Sequence, residues 1–496
     1  MDPVDIKSIG CTDGIWSRLK NTAVEMPKRT ALITDTGENL AYLEVVERIA
    51  RCAAGLQASE CEAGNAVVVM LDNSLDFVIA CFAVWMLGAI VVPVNPHYKD
   101  DEIRHIFESI SPKLVLHSQS LRMLVITALP GVPHFESTAA LEIGSPLKNI
   151  NAYPSAPALH MFSSGTTGKP KRVTRSQTQL LCEFDALAKS INVGPSDRFL
   201  CTIPLYHAHG FCNAMVAGLL SGAGMVLAKG EFNARATVAL LERYHITIYP
   251  SVPLMIRMLS EIRFSAPPAL AHLRLVFSAG APLPKAVASR FAERFNITVG
   301  QLYGSTESGA VTLNIHHQAD KPESVGRPLA GFEIQIRSEL GQKLPPRQLG
   351  EIWVRTPATT LAYDGLPELS ADVFVGEYFF TGDLGWNDED GDLYISGRKK
   401  LLINVAGNKV DPLEVEEVLG AHPSVAEVVV IGKPHRAYGE MVKAVVVSAC
   451  ADMPEDPEVL LSFCAERLAE YKIPKVIEFR DQIPRSPLGK ILRKYL

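Results

Sequence analysis

The sequence predicts an α/β protein with a large N-terminal domain of parallel-rich sheets with helices, a small β subdomain and a small α+β C-terminal domain. Three observations support this fold class. Helical and strand patterns alternate from about residue 40, the predicted strands end in Gly, Ser, Tyr and Glu, and after roughly residue 330 short strands and turns take over. A chain of 496 residues also exceeds the size of one core, which stops growing near ~250–300 residues, so two or more domains are expected.

The first part of the chain alternates helices and strands in a way that predicts parallel sheets. The successive patterns are YLEVVERIARCAAGLQ (helix), AVVVML (strand), LDFVIACFAVWML (helix), AIVVPV (strand), DEIRHIFESI (helix) and KLVLHS (strand). Further along, TVALLERYH precedes ITIYPSVP, and LRLVFSAG precedes the amphipathic PKAVASRFAERFN and then ITVGQLYG. Ligands bind at the carboxyl ends of the strands in open sheets of this kind. We therefore expect the chemistry directly after these strands.

One apolar segment, Phe77 to Val94, imitates a membrane span because it carries no charge over a length that could cross a bilayer. Gly88 lies where a helix would end, and the β-branched run that follows is closed by Pro93 and Pro96. The pattern therefore predicts a buried helix, a turn and a buried strand, and no transmembrane segment. The N-terminus also lacks the cationic and apolar stretches of a secretory signal.

The last part of the chain has two different patterns. FEIQIRS, GEIWVRT and DEDGDLYISG predict a small β-rich subdomain. Beyond GRKKLLINVAGNKV, two helical patterns and two apolar strands predict a compact α+β unit of roughly a hundred residues, a plausible domain size. We expect a boundary near residue 398, with an N-terminal domain of residues 1–398 and a C-terminal domain of residues 399–496.

Composition and charge exclude several classes of protein. Hydrophobic residues make up 47% and charged residues 21% of the chain, as in globular rather than disordered proteins. The net charge of −6 gives no overall basic field for nucleic acid. The cysteines are odd in number and never spaced as CxxC, which argues against a disulfide or zinc framework and favours the reducing cytoplasm. They are Cys11, Cys52, Cys61, Cys81, Cys182, Cys201, Cys212, Cys450 and Cys464.

A segment rich in hydroxyl groups, MFSSGTTGKPKRVTRSQ, lies after the predicted strand ALHMF and before the predicted helix SQTQLLCEFDALAKS. Such a loop offers backbone N–H groups, hydroxyl donors and lysine charges, and its glycines allow a ligand to approach closely. These features favour the binding of a polyphosphate. The residues concerned are Ser163, Ser164, Gly165, Thr166, Thr167, Gly168, Lys169 and Lys171. The spacing differs from the familiar nucleotide loop, because two residues rather than four separate the glycines. By composition alone, a solvent-exposed surface turn is an equally good interpretation.

Six motifs in a fixed order resolve this choice. They are SSGTTGKPK, SAGAPL, QLYGSTES, YFFTGDLG, GRKKLLINVAGNKVDPLEVE and PRSPLGKILR. Together they resemble the adenylate-forming superfamily of acyl-CoA synthetases, firefly-type luciferases and peptide-synthetase adenylation domains, over nearly the whole chain. The resemblance implies an adenylation domain followed by a small mobile domain that rotates between two half-reactions.

The resemblance also implies which residues serve the first half-reaction, in which a carboxylate attacks the α-phosphate of ATP. The loop would hold the β- and γ-phosphates, Thr306 would hydrogen-bond phosphate oxygens, and Glu307 would bind Mg²⁺. Lys490 would bridge the carboxylate and the α-phosphate. Taken alone, the GKILRK stretch around Lys490 would usually be a solvated basic tail.

The nucleoside site is implied by two other motifs. Gly280, Ala281 and Pro282 would offer a flat apolar surface to adenine, and Tyr303 an aromatic face. Asp383 would bind the ribose hydroxyls, assisted by Arg398. Outside this joint pattern, such a tyrosine is more often a half-buried core residue and such an aspartate a turn-former.

The resemblance implies a second half-reaction in which the thiol of coenzyme A attacks the acyl-adenylate and AMP leaves. Lys400 matches the hinge position, and Gly407 would leave room for the pantetheine arm. Lys472 and Lys475 could contact the nucleotide phosphate of CoA, although lysines of this kind are more often solvated. No enzyme cysteine is required.

The sequence gives less information about the acid pocket than about the nucleotide site. PLYHAHGFCN resembles the segment that lines the acyl pocket, and His207 matches the position of a gating side chain, while His209 is interpreted as structural. Amino-acid-activating relatives carry an aspartate here that this chain lacks, so an aromatic or aliphatic acid without an α-amine is favoured. Proposed walls are Phe211, Met215, Val252 and the 303–309 turn, and departures from the family are Arg172, Gln177 and Leu401.

The resulting prediction is an ATP-dependent carboxylic acid:CoA ligase that forms an acyl-AMP intermediate. One alternative is an enzyme that adenylates an acid and loads the thiol of a carrier protein. An alternative of another class is a catalytically silent nucleotide-binding regulator, against which the retained Glu307, Asp383 and Lys490 argue. The acid is a small molecule, and a homodimer stays open.

Overall fold

A computed structural model describes residues 14–142, 144–147, 155–163, 171–264, 267–405, 408–435, 439–449, 456–485 and 491–496. By packing, the chain divides into a first unit, Met1–Glu333 with Val354–Phe379, and a second unit, Ile334–Trp353 with Phe380–Leu496. The predicted domain boundary near residue 398 stays a prediction.

The helices of the described residues include those that the sequence patterns predicted, together with others that were not predicted. In chain order they are α1 Ile15–Glu25, α2 Tyr42–Ala58, α3 Leu75–Met86, α4 Asp100–Ile110, α5 Arg122–Ala128, α6 Gln177–Ile191, α7 Ala208–Gly210, α8 Ala217–Leu220, α9 Ala234–Arg243, α10 Pro253–Glu261, α11 Lys285–Phe295, α12 Pro367–Val373, α13 Pro412–Gly420 and α14 Pro457–Ala465. Between α7 and α8 the helix continues as a wider π-type stretch, Phe211–Val216.

The strands of the described residues form four sheets. In chain order they are β1 Thr30–Thr34, β2 Asn39–Ala41, β3 Ala66–Met70, β4 Ile90–Pro93, β5 Leu114–His117, β6 His134–Phe135, β7 Pro157–Ser163, β8 Lys171–Ser176, β9 Arg198–Cys201, β10 Gly224–Leu227, β11 Ile248–Ser251, β12 Leu275–Ser278, β13 Val299–Ser305, β14 Gly309–Leu313, β15 Arg327–Pro328, β16 Glu333–Arg337, β17 Gly350–Arg355, β18 Phe374–Val375, β19 Tyr378–Asn387, β20 Leu393–Arg398, β21 Ile403–Val405, β22 Asn408–Val410, β23 Val425–His435, β24 Gly439–Ser448 and β25 Val476–Phe479.

Two sheets with parallel centres build the first unit. One has the order β15-β14-β13-β12-β11-β9-β10-β1-β2 and is parallel from β1 to β13. The other has the order β6-β5-β3-β4-β7-β8 and is parallel from β6 to β7. This confirms the predicted parallel arrangement, since connecting helices cover the faces and leave the strands almost wholly apolar.

The segment that imitates a membrane span is confirmed as a helix, a turn and a strand. Helix α3 begins at Ser74, whose hydroxyl accepts the Phe77 N–H at 3.2 Å, and it is buried on every side. Gly88, with φ of +71°, makes the turn into β4 because the left-handed conformation suits glycine. Among the described residues, no helix combines the length and the apolarity needed to cross a bilayer.

The remaining sheets confirm the change of pattern in the last part of the chain. Strands β16-β17-β19-β18, with β20 beside β19, form the predicted β-rich sheet. Strands β22-β21-β24-β23, with β25 beside β24, form a sheet whose apolar face packs on α13 and α14. The last sheet and its helices are the predicted α+β unit.

Candidate active site

Polar residues collect at one edge of the first unit, where parallel strands end. Ser251 and Ser278 are register partners at the ends of β11 and β12, and Ser278 is the partner of Gln301 in β13. Strand β13 then runs on into the turn that carries Thr306 and Glu307. The expected location of the chemistry is therefore supported by the order of the strands.

The turn after β13 holds Glu307 in a fixed position. The Ser308 N–H donates to the Ser305 hydroxyl at 3.2 Å, which closes the turn, and the Thr360 N–H donates to the Glu307 carbonyl at 2.8 Å. The Glu307 side chain accepts a 2.9 Å hydrogen bond at Oε1 from the Tyr363 hydroxyl. Glu307 is only 9% exposed, so its carboxylate is oriented before any ligand arrives.

Tyr363 joins two of the predicted site residues. Its hydroxyl bonds Glu307, and its ring lies under Lys171, with Nζ 4.8 Å from the ring centroid. The backbone of Tyr363 is fixed by a bridge to Val173 in β8 and by its N–H, which donates to the Ser370 hydroxyl at 2.9 Å. The sequence did not predict Tyr363, because its LAYDGLPELS segment carries no recognised motif and lies 56 residues from Glu307.

The phosphate loop joins two antiparallel strands. Ser163 and Lys171 are register partners at the end of β7 and the start of β8. The helix predicted after the segment is α6, but the sequence analysis did not predict β8, which lies between the loop and that helix. Six predicted loop residues lie outside the described residues, as does the side chain of Ser163. They are Ser164, Gly165, Thr166, Thr167, Gly168 and Lys169.

Two departures from the family pattern have structural explanations near this hairpin. Arg172 donates from Nε to Asp364 Oδ2 at 2.8 Å and from Nη1 to the Ser109 carbonyl at 2.7 Å. It therefore anchors β8 rather than facing solvent. Gln177 is 3% exposed, and its Oε1 accepts the Ile15 N–H at 2.9 Å, so it fastens the start of α1 to α6.

A buried ion pair supports the far side of the Glu307 turn. Arg175 Nη1 lies 2.6 Å from Glu183 Oε2, and both side chains are 3% exposed. Glu183 Oε1 accepts the Ala310 N–H at 2.8 Å, just after the turn. A side chain at Gly309 would meet the Glu183 carboxyl at 2.5 Å, so glycine is required there. Burial alone would lower the pKa of Arg175, but the nearby Glu183 charge raises it, so the guanidinium stays charged.

The residues predicted to bind adenine are in suitable positions on the same edge. Gly280, Ala281 and Pro282 are exposed directly after β12, and Tyr303 is half-buried in the neighbouring β13. Behind them, the Leu283 N–H donates to Gln301 Oε1 at 2.9 Å, which fixes the loop to β13. Their role in nucleoside binding stays a prediction.

The second unit brings Asp383 and Arg398 together. They are register partners on β19 and β20, and Arg398 Nε donates to Asp383 Oδ1 at 2.6 Å. Asp383 is 7% exposed, and its N–H donates to the Thr381 hydroxyl at 3.1 Å. The hinge residue Lys400 lies in a 3₁₀ turn, Lys399–Leu401, with its side chain outside the described part. Gly407 and Lys490 also lie outside the described residues.

His207 lies in the segment predicted to line the acid pocket. Its Nε2 atom is buried and has no hydrogen-bond partner among the described residues, and its ring lies 4.7 Å from that of Tyr206. Burial lowers the pKa of His207 from 6.5 to about 4, so the ring is neutral at pH 7. Phe211 packs against Phe77 and Trp85 in the core, which argues against its proposed role as a pocket wall.

The comparisons with known proteins cover both units. The model of the family described as "AMP-binding enzyme" matches residues 19–364. The model described as "AMP-binding enzyme C-terminal domain" matches residues 414–490.

Similar curated proteins include several ligases. Oxalate–CoA ligase of Arabidopsis thaliana is 30% identical over 97% of this chain and 98% of that protein. The fatty acid–[acyl-carrier-protein] ligase ScoC of Streptomyces coeruleorubidus is 31% identical over 94% of this chain and 93% of that protein. Feruloyl-CoA synthase of an Amycolatopsis species is 31% identical over 94% and 95%, respectively.

Similar solved structures span the same length. ATP-bound MatB from Rhodopseudomonas palustris has a TM-score of 0.91 and 27% identity, over 97% of each chain. O-succinylbenzoate coenzyme A synthetase (MenE) from Bacillus subtilis, in complex with ATP and magnesium ion, has a TM-score of 0.87 and 28% identity, over 97% of this chain and 99% of that one.

Proposed function

Because the chain belongs to the AMP-binding enzyme family, we propose that it is an ATP-dependent carboxylic acid:CoA ligase that forms an acyl-AMP intermediate. The observation that carries the proposal is the Glu307 carboxylate, oriented by Tyr363 at the carboxyl edge of the parallel sheet and joined through that ring to Lys171. The acid is an aromatic or a short to medium aliphatic one.

The proposed reaction has two steps. A carboxylate oxygen of the acid attacks the α-phosphorus of ATP, the bond from that phosphorus to the bridging oxygen breaks, and pyrophosphate leaves. The thiolate of CoA then attacks the acyl carbon, the bond from that carbon to the phosphate oxygen breaks, and AMP leaves. The thiol proton passes to solvent. Both steps join anionic groups, so the protein has to supply positive charge and fixed dipoles.

The residues of the Glu307 turn fit a Mg²⁺ ion. A carboxylate oxygen and a hydroxyl are the hard oxygen ligands that Mg²⁺ prefers. Tyr363 occupies Oε1, and among the described residues none hydrogen-bonds Glu307 Oε2, so that oxygen can bind a cation. When bound, the ion would neutralise the phosphate charge that develops during transfer. Thr306 would hydrogen-bond phosphate oxygens beside it.

The cationic contribution of the chain comes from lysines. Lys171 and the loop of residues 163–169 would hold the β- and γ-phosphates, and Lys490 would bridge the reacting carboxylate and the α-phosphate. Asp383, held by Arg398, would accept hydrogen bonds from the ribose hydroxyls. Lys400 and Gly407 would serve the change to the thioester step. These roles stay predictions from the family motifs.

Two measurements test the proposal. ATP–pyrophosphate exchange is measured with a panel of benzoates, short acids and medium-chain fatty acids, and at least one acid is expected to support exchange. With that acid, CoA is expected to give a thioester and AMP. No exchange with any acid, together with measurable ATP binding, would favour the catalytically silent regulator instead.

A carrier protein is the alternative acceptor, and one similar protein carries such a name. Comparing CoA with a pantetheinylated carrier protein as acceptors, at equal concentrations, separates the two functions. If the rate with the carrier protein were far above the rate with CoA, carrier loading would replace CoA ligation as the proposed function. Activity with CoA alone would retain the leading proposal.

Location and assembly are further parts of the proposal. We place the enzyme in the cytoplasm, where the cysteines of the described part, which are buried thiols, would stay reduced. Cell fractionation measures this. The homodimer remains a prediction that light scattering on the purified protein can test.

A further inference from the structure

A buried polar chain runs through the segment predicted to line the acid pocket. His209 Nε2 lies 3.0 Å from the Ser251 carbonyl oxygen, and His209 Nδ1 lies 3.0 Å from Asn213 Nδ2. His209 is half-buried, and Asn213 is 4% exposed. Asn213 lies in the π-type stretch that follows α7, so the polar chain starts at a strand end and finishes on the wide helical turn.

The hydrogen-bond partners fix the proton positions in this chain. Burial lowers the pKa of His209 from 6.5 to about 4, so its ring is neutral at pH 7 and has one N–H. The Ser251 carbonyl can only accept, so the proton is on Nε2. Nδ1 is then an acceptor and requires the amide N–H₂ group of Asn213. The amide oxygen of Asn213 must therefore point away from His209.

That oxygen has no partner. Asn213 Oδ1 is buried, and it makes no hydrogen bond among the described residues. Buried polar atoms are paired in the great majority of cases, and an unpaired acceptor carries a desolvation penalty. Because the proton positions exclude a simple flip of the amide, Oδ1 requires a donor that the described residues do not supply.

Other unpaired atoms lie in the same region. The His209 ring packs on Phe277 at 5.7 Å, and the next residue, Ser278, has a buried hydroxyl without a partner. Two more such atoms are Ser251 Oγ, at the end of β11, and His207 Nε2, two residues before His209. Ser278 ends β12 beside Ser251 of β11, whose carbonyl oxygen bonds His209, and on its other side lies β13, the strand that leads to Glu307. A polar ligand group at this edge would satisfy them.

Resting on the proposed function, we propose that the acid substrate carries a hydrogen-bond donor, a hydroxyl or an amino group remote from the reacting carboxylate, and that Asn213 Oδ1 accepts from it. Asn213 is then a specificity-determining residue. A plain alkyl or unsubstituted aryl acid would leave the acceptor unpaired. Sites built to hydrogen-bond a substrate group reject analogues that lack it far more strongly than apolar pockets reject one methylene.

The test uses matched acids that differ only in the donor. ATP–pyrophosphate exchange is measured for benzoate, its 3- and 4-hydroxy, 4-amino and 4-methoxy derivatives, hexanoate and 6-hydroxyhexanoate. At least one acid that carries a hydroxyl or an amino group should exceed its unsubstituted parent in kcat/KM by about tenfold or more. This is the effect of one hydrogen bond to a buried group. The methyl ether, which cannot donate, should lose that advantage.

Variants at position 213 connect the preference to this atom. Asn213→Leu, of similar size without an acceptor, should reduce the ratio of the best donor acid to its parent to near one. Asn213→Ala is a second variant in case leucine impairs folding, and it should also remove the preference. Tyr244→Phe is the matched control, because Tyr244 also has a buried, unpaired hydroxyl, at the end of α9; it should leave the ratio unchanged.

The possible results distinguish a failure of this inference from a failure of the proposed ligase function. Exchange with several acids but equal kcat/KM within every pair would overturn the inference and leave the ligase intact. An unchanged preference in both Asn213 variants would also overturn it. Exchange with no acid at all would be a failure of the proposed function, and the inference would fall with it.

Discussion

The Tyr363 hydroxyl donates a 2.9 Å hydrogen bond to Glu307 Oε1, and the ring of the same tyrosine lies 4.8 Å from Lys171 Nζ. One side chain thus connects the carboxylate proposed to hold Mg²⁺ with a lysine proposed to hold the phosphates. The hydroxyl and the ring serve different partners, so substitutions can separate them.

We expect Tyr363→Phe to raise the Mg²⁺ concentration needed for half-maximal ATP–pyrophosphate exchange by about tenfold, since a hydrogen bond to a charged group contributes about 1.5–3 kcal/mol. The ring, and with it the contact to Lys171, is kept. Saturating Mg²⁺ should restore much of the rate. Magnesium titrations of exchange on the wild type and the variant measure the effect.

Tyr394→Phe is the control for this prediction. The Tyr394 ring stacks on Trp386 with centroids 4.1 Å apart, and its hydroxyl lies 3.4 Å from Asp388. Its removal should not change the magnesium titration. If Tyr363→Phe gave the same titration curve as the wild type, Tyr363 would have no role in positioning Glu307.

Lys490→Ala should separate the two half-reactions. Removing a cation from the adenylation step should reduce pyrophosphate release from acid and ATP at least about 100-fold, the scale of one preorganised electrostatic group. The thioester step needs no such cation, so conversion of a synthetic acyl-adenylate by CoA should continue. Assays of both reactions on the same preparation measure this, and an equal loss in both would argue against the assignment.

Glu183→Gln should destabilise the first unit strongly. The substitution keeps an acceptor for the Ala310 N–H but leaves the buried Arg175 charge without its partner. Breaking a buried pair in this way costs about 3–5 kcal/mol. The midpoint of thermal unfolding should fall clearly. Glu389→Gln is the matched control, because its pair with Arg347 is exposed and such pairs contribute little; equal midpoints for the two variants would contradict the prediction.

The sequence predicted those parts of the fold and the site that depend on local patterns. The alternating periods predicted the parallel strands, and the short motifs made Glu307, Asp383 and Arg398 candidate site residues, whose roles stay predictions. Even the pairing of Asp383 with Arg398 follows from a hairpin of neighbouring strands. These features can be predicted because each is encoded within a few residues of the sequence.

The parts that the sequence did not predict depend on contacts between distant segments. Tyr363 meets Glu307 only because β8 forms a bridge to its backbone. Strand β8 was itself overlooked, since its residues carry three cations and few apolar side chains. The proton positions along Ser251, His209 and Asn213 require three separate segments to meet. Sequence periodicity does not predict such contacts between distant segments, because they depend on the packing of the whole unit.

Stability should fall in mild acid because of three buried or half-buried histidines of the first unit. Burial lowers the pKa of His160, His207 and His209 from 6.5 to about 4. Between these values the unfolded chain binds more protons than the native one, so the free energy of unfolding falls as the pH falls from 6.5 towards 4 and is insensitive to these groups above about pH 7.

Urea unfolding at pH 7, 6 and 5 measures the slope of the free energy of unfolding against pH. In His209→Gln, the slope should be smaller by at most about 1.4 kcal/mol per pH unit, the contribution of one full proton, which is approached near pH 5. His316→Gln, at an exposed position, should match the wild type. Equal slopes for wild type and His209→Gln would mean that His209 is not buried as a neutral ring.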